Sequence, residues 1–125
     1  MPKLADIMTR EVFTASPDTP VAEVADGMVR GRFGSAVVMR SAMLVGILTE
    51  RDVLRAAASG TDLTTCRTGD WMTNDPETVE SGTDSEDAAQ LMLSKGFRHL
   101  PVVDGNDCVG IVSLRDVLRV RIGRK

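Results

Sequence analysis

The segment Gly46-Ile47-Leu48-Thr49-Glu50-Arg51-Asp52-Val53-Leu54-Arg55 returns 64 residues later as Gly110-Ile111-Val112-Ser113-Leu114-Arg115-Asp116-Val117-Leu118-Arg119. With that one offset and no gaps, Asp6, Met8, Thr9, Thr14, Thr19, Ala25, Met28, Phe33, Val38 and Val45 also meet identical residues. Chance does not hold so many matches in one register. A chain written twice is expected to fold as two copies of one supersecondary unit, pseudo-symmetric, with a seam of the kind where pockets form.

Each copy shows the same periodicities. Val21, Val24, Ala25 and Met28 follow Thr19-Pro20 at the spacing of a helix with one buried face, with Thr19 as its cap and Pro20 in its first turn, and Ala88, Ala89 and Met92 follow Thr83-Asp84-Ser85-Glu86, which reads as a capping box. Two short apolar runs come next, Ala36-Val37-Val38-Met39 with Leu44-Val45-Gly46-Ile47-Leu48, and Leu100-Pro101-Val102-Val103 with Val109-Gly110-Ile111-Val112. Each pair predicts a hairpin. Asp104-Gly105-Asn106-Asp107 carries strong turn chemistry and Arg40-Ser41-Ala42-Met43 much less. A second helix is predicted from Thr49 and from Ser113, with Gly60 as a stop, and a β segment at 12–15 and at Thr78-Val79 precedes each first helix. The expected fold class is α/β (α+β), two β-α-β-β-α repeats at 6–60 and 70–121 joined by the polar linker 61–69. At 125 residues the chain has the length of one ordinary domain, and halves of about 60 residues would be marginal alone, so a shared core is expected.

Charge and motif content narrow the function classes. A net charge of -3 and a pI near 5.1 oppose a nucleic-acid binder. The basic cluster Arg119, Arg121, Arg124 and Lys125 reads as a solvated helix end. Gly31-Arg32-Phe33-Gly34 matches the GxxG clamp of KH RNA-binding domains, a four-residue signal that the acidic balance outweighs. Cys66 and Cys108 stand in no metal-ligand spacing, and a reducing cytoplasm is the expected setting. No apolar run has the length of a membrane span, and the first residues lack the apolar stretch of a secretion signal. One histidine, no G-x-S-x-G, no HExxH and no Walker loop lead us to expect a non-enzyme.

The repeated Gly46 to Asp52 segment has two readings. In one, Thr49 and Asp52 simply cap a helix and complement its positive end. In the other, helix N–H groups offer an anion site and the carboxylate accepts bonds from a pair of sugar hydroxyls, which together suggest a nucleotide. Arg51 and Arg115 either meet phosphate oxygens or are solvated surface charges.

The two segments resemble the closing G-h-h-S/T-x-x-D motif of the CBS domain, named for cystathionine beta-synthase. Asp6-Ile7-Met8-Thr9 and Asp70-Trp71-Met72-Thr73 are similar to the D-h-M-T opening of such domains, and Arg98-His99-Leu100-Pro101-Val102-Val103-Asp104 to their R-H-L-P-V-V-D strand. The resemblance spans about residues 6–119 and implies a tandem CBS module with two clefts that take adenosine-containing ligands such as AMP, ADP, ATP or S-adenosylmethionine. Residue by residue, it implies that Asp52 and Asp116 hold ribose hydroxyls and that Thr49 and Ser113 assist them. It further implies that Thr14, Ala15, Thr78 and Val79 meet adenine together with Ile7 and Trp71, and that Arg98 and His99 face phosphates. The first copy has Gly34-Ser35 where the second has Arg98-His99, so the clefts are expected to differ. If His99 does meet a phosphate, mild acid would alter affinity.

The leading expectation is a stand-alone regulatory module that senses an adenosyl compound and passes its occupancy to a protein partner. The alternative is a structural or interaction module that dimerises and docks to an enzyme or transporter with empty clefts. A homodimer is expected from the family resemblance, and neither nucleic acid nor membrane is expected as a partner.

Overall fold

The computed structural model of the chain describes residues 2–123. Its elements run α1 (Leu4–Ile7), β1 (Thr14–Ala15), α2 (Val21–Gly31), β2 (Ser35–Arg40), β3 (Met43–Thr49), α3 (Glu50–Ala58), α4 (Thr68–Trp71), β4 (Thr73–Asn74), α5 (Ser85–Lys95), β5 (His99–Asp104), β6 (Asp107–Ser113) and α6 (Leu114–Gly123). The mixed α/β class and both hairpins are as expected. The four-residue helices α1 and α4 and the two-residue β4 were not, because so few residues show no periodicity. The Thr78-Val79 segment contributes only a single parallel bridge, Val79 to Val102. Arg124 and Lys125, half of the basic cluster, lie outside the described residues.

Both first-helix caps differ in detail from the expectation. Helix α5 is capped by Asp84, whose carboxylate accepts the Glu86 N–H at 2.8 Å, one residue beyond Thr83. The Thr83 carbonyl instead receives the Leu4 N–H at 2.9 Å. Thr19 does not cap α2 either: Pro20 holds the cap position, and the Thr19 hydroxyl accepts the Ser16 N–H at 3.1 Å.

The chain forms two compact units, a continuous one, Phe13–Pro76, and a two-segment one, Met1–Val12 with Glu77–Lys125. In the continuous unit a four-stranded sheet has the order β1-β2-β3-β4, with β1 parallel to β2 and the other pairs antiparallel. The β2–β3 hairpin closes at Arg40 opposite Met43, and Ser41 takes φ 56°, the left-handed geometry that its turn sequence did not advertise. In the two-segment unit β5 pairs with β6, Val79 bridges to β5 and Thr9 to β6, which repeats the same four-strand order with bridges in place of short strands. Gly105, 64 residues after Ser41, takes φ 62° in the matching turn. The register shifts fall at matching places too, between Val38 and Met39 and between Val102 and Val103.

These units exchange the opening segments of the sequence repeats. Residues 73–74, which open the second copy, close the sheet of the first copy at Gly46 and Ile47, and Thr9 from the first copy pairs with Ile111 of the second. The repeated glycine makes that approach possible. A Cβ on Gly46 would lie 2.5 Å from Met72 Sδ and 2.9 Å from the Thr73 carbonyl oxygen, and one on Gly110 would lie 2.7 Å from Met8 Sδ and 3.0 Å from the Thr9 carbonyl oxygen.

Each unit gathers an apolar cluster of its own. Val24, Met28, Ala36, Val38 and Leu48 form the first, with Trp71 and Met72 packed against it. Leu4, Met8, Ala88, Ala89, Met92, Leu100, Val102, Val112 and Val117 form the second. Each opening segment thus supplies apolar surface that its recipient, as a unit of only about 60 residues, needs to bury. Within the two-segment unit, the Asp104 carboxylate ties the end of β5 to the preceding loop. It accepts the Ser81 hydroxyl at 2.6 Å and the Ser81 N–H at 2.9 Å, and these bonds hold its pKa below the ordinary value.

Gly46→Ala and Gly110→Ala are each expected to cost about 1–3 kcal/mol, since the methionine can turn away but the facing carbonyl cannot, which denaturant unfolding will measure. The depressed Asp104 pKa means that the folded state binds this proton less readily than the unfolded chain. Its contribution is present above about pH 4 and is lost as pH falls through the lowered folded-state value. Unfolding curves at pH 6 and pH 3 should show a smaller loss on acidification for Ser81→Ala than for the unaltered chain.

Candidate functional site

In the continuous unit, strand β3 runs into helix α3 at Thr49, whose extended backbone (φ -109°, ψ 168°) turns the chain into the helix. The Asp52 N–H donates to Thr49 Oγ1 at 3.3 Å, while Asp52 Oδ2 accepts the Thr49 N–H at 2.9 Å and the Thr49 hydroxyl at 3.1 Å. This reciprocal capping box is the first of the two readings of the segment, formed in atoms. Asp52 is 6% exposed, the one buried charged side chain among the described residues. Its second oxygen, Oδ1, lies 3.2 Å from Arg55 Nη1, and the Arg55 guanidinium sits 5.8 Å from the centroid of the Trp71 ring. Thr14 and Ala15 lie on β1 opposite Val37 and Val38, with Thr14 exposed and Ala15 half-buried, and Arg51 is exposed.

The two-segment unit repeats the frame with different side chains. Asp116 Oδ2 accepts the Ser113 N–H at 2.8 Å, and the Asp116 N–H donates to Ser113 Oγ at 3.0 Å. Ile7 and Val79 both pack on the local core, and Val79 is held by main-chain bonds, donating to the Pro101 carbonyl at 3.1 Å and accepting the Val103 N–H at 2.8 Å. Thr78 and Arg115 are exposed. The Arg98 carbonyl accepts the Leu114 N–H at 2.9 Å, which pins the start of α6, just as the Gly34 carbonyl takes the Glu50 N–H at 3.1 Å. His99 begins β5 directly across the ladder from Ser113, and Arg98 beside it is exposed.

The sequence-predicted residues therefore sort into two groups. Thr14, Ala15, Thr49, Arg51, Asp52 and Trp71 belong to the continuous unit, and Ile7, Thr78, Val79, Arg98, His99, Ser113, Arg115 and Asp116 to the two-segment unit. Sequence reasoning did not say which aspartate each opening residue would join. Trp71 joins Asp52 and Ile7 joins Asp116, across the repeats. Arg55 was missed as a member of the first group, although its position three residues after Asp52 on a helix places the two on one face. An open depression of about 350 Å³ in the continuous unit lies elsewhere, between α2 and α3, with Met28, Val29, Phe33 and Val53 in its lining. Among the described residues, no group of His, Cys, Asp and Glu side chains is placed to hold a metal ion, and no helix is long and apolar enough to cross a membrane.

Comparison with known proteins places this geometry. The CBS-domain family model matches residues 4–59 and 69–123. An uncharacterized 17.7 kDa protein of Acidianus ambivalens is 40% identical over 119 residues, which cover 94% of this chain and 71% of that protein. Among solved structures, a protein with CBS domains from Burkholderia ambifaria MC40-6 superposes with a TM-score of 0.94 at 25% identity, covering 99% of this chain and 96% of the other. The CBS domain pair of protein MJ0100, solved with 5′-methylthioadenosine and S-adenosyl-L-methionine, superposes with a TM-score of 0.92 at 24% identity, covering 100% and 99%.

Proposed function

Because the chain belongs to the CBS-domain family, we propose that it is a regulatory module that binds adenosine-containing ligands and passes their occupancy to a protein partner. The ligand class is AMP, ADP, ATP or S-adenosylmethionine, the site of action is the cytoplasm, and the protein carries out no catalysis of its own. One observation carries the reading. Each unit holds an aspartate by a main-chain donor at a helix start, joined at Asp52 by the Thr49 hydroxyl, and each unit includes a residue from the other copy's opening segment. A carboxylate fixed in this way is set to accept a vicinal pair of hydroxyls, and the neighbouring apolar residue offers a surface for a purine. The likeness to the MJ0100 pair, at 24% identity, speaks for the fold; the ligand class rests on this chain's own aspartates and on its family.

In this reading Asp52 and Asp116 anchor the ribose, Thr49 and Ser113 hold those carboxylates, and Arg51, Arg98, His99 and Arg115 supply charge and donors for phosphates. Thr14, Ala15, Thr78, Val79, Ile7 and Trp71 form the adenine surfaces. A second reading, an interaction module with empty sites, draws on the capping box itself, which occupies Asp52 without any ligand.

Both readings involve assembly. Four of the six large apolar side chains left in solvent among the described residues pair at the 64-residue offset: Val29 is 78% and Leu93 68% exposed on α2 and α5, and Leu54 is 69% and Leu118 46% exposed on α3 and α6. Apolar surface kept at matching places in both copies is surface intended for cover, and a second copy of the chain presents the complementary faces. We therefore include a homodimer in the proposal.

Thermal unfolding with millimolar AMP, ADP, ATP or S-adenosylmethionine tests the ligand. A compound at about 100 times its dissociation constant adds roughly 2.7 kcal/mol to the native state. The expected upward shift shrinks in Asp52→Ala or Asp116→Ala, whichever carries the occupied site; no shift with any compound favours the interaction module. For assembly, sedimentation at micromolar concentration should give twice the chain mass, falling to one chain when Leu54 and Leu118 are both changed to Glu. A single-chain mass for the unaltered protein would contradict the dimer.

A further inference from the structure

We propose that Arg55 is a built-in competitor for ligand at the Asp52 site, so that the Asp116 site fills first; this rests on the reading of the two aspartates as ribose anchors. A nucleoside would bring two things to the continuous unit, a hydroxyl pair for the carboxylate and a flat ring for the aromatic face. One side chain already supplies substitutes for both. The Arg55 guanidinium donates to Asp52 Oδ1 at 3.2 Å and lies over the Trp71 ring at 5.8 Å from its centroid. With Oδ2 taken by Thr49, both carboxylate oxygens are engaged.

The other unit lacks this arrangement although the arginine is conserved between the copies. Arg119 stands where Arg55 does, but the residue that joins Asp116 from the opposite opening segment is Ile7 in place of Trp71. An isoleucine offers no ring quadrupole to hold a guanidinium. Among the described residues Arg119 makes no ion pair with Asp116. The two sites are thus made unequal by one residue of the opening segment, and the aromatic ring acts as a positioning residue for the arginine.

The Arg55 side chain is 59% exposed, so the latch is a modest one. An exposed ion pair and an exposed cation–π contact together favour the closed arrangement about tenfold, and apparent affinity falls by the fraction of molecules that are open.

Trp71 is the sole tryptophan of the chain, so its emission reports on the Asp52 site. The full-length chain carrying Asp116→Ala is titrated with adenosine, which has no phosphate for Arg55 to meet, and compared with the same chain carrying also Arg55→Gln or Arg55→Lys. Arg55→Gln is expected to tighten adenosine about tenfold and Arg55→Lys by less, because lysine keeps the charge and loses the planar stack. In the Asp52→Ala chain, calorimetric titration should show that Arg55→Gln leaves the Asp116 site unchanged. Unchanged or weaker binding at the Asp52 site after Arg55→Gln, with adenosine still bound at the Asp116 site, would overturn the latch and leave the adenosyl reading standing. Adenosine bound at neither site in any of these chains would overturn both.

Discussion

The close approach of a methionine and a carbonyl to a bare glycine, once in each unit, is the contact on which the other features depend. Gly46 admits Met72 and Thr73, and Gly110 admits Met8 and Thr9. Because each opening segment crosses to the other copy, neither sequence repeat holds all the strands of its own sheet or all the apolar side chains of its own cluster. The repeat of sequence and the unit of structure are therefore different objects, and the stability of each unit depends on both halves of the chain being present.

The same exchange composes the candidate sites. Thr49 with Asp52 and Ser113 with Asp116 come from one continuous strand-to-helix corner each, and local capping chemistry suffices to build them. Trp71 and Ile7 arrive with the exchanged segments, so the partner that each aspartate receives is decided by the other copy. A carboxylate in a capping box satisfies its own helix and remains able to accept donors from a ligand. The two readings of the motif describe one arrangement with and without a visitor. At Asp52 the second carboxylate oxygen is held by Arg55.

Much of this was legible beforehand because the signals were local or repeated. Apolar spacing in Val21 to Met28 and in Ala88 to Met92 marked α2 and α5, and the β-rich runs on either side of Asp104-Gly105-Asn106-Asp107 marked a hairpin. The paired apolar runs carried a correct expectation of a hairpin at the weaker turn, where the Ser41 main chain adopts a left-handed geometry normally left to glycine. The caps moved by a residue because distant segments bring main-chain partners that no local pattern encodes: the Ser85 N–H goes to the Pro2 carbonyl, and the Val21 and Ala22 N–H groups go to the Cys66 and Leu63 carbonyls. The exchange was hidden for the same reason, since an ungapped repeat says that two segments are alike and not which one each will pair with. Gly46 and Gly110 carried the only trace of it, as glycines in strands where a side chain would be expected, a sign of close backbone approach.

The most direct test of this account is the set of through-space proton contacts of the methionine methyl groups in a solution NMR spectrum of the full chain. The account predicts that the Met8 methyl lies near the Gly110 Hα protons and the Met72 methyl near those of Gly46. Contacts from Met8 to Gly46 and from Met72 to Gly110 would mean that each repeat closes on itself, and would contradict the exchange on which the two sites are built.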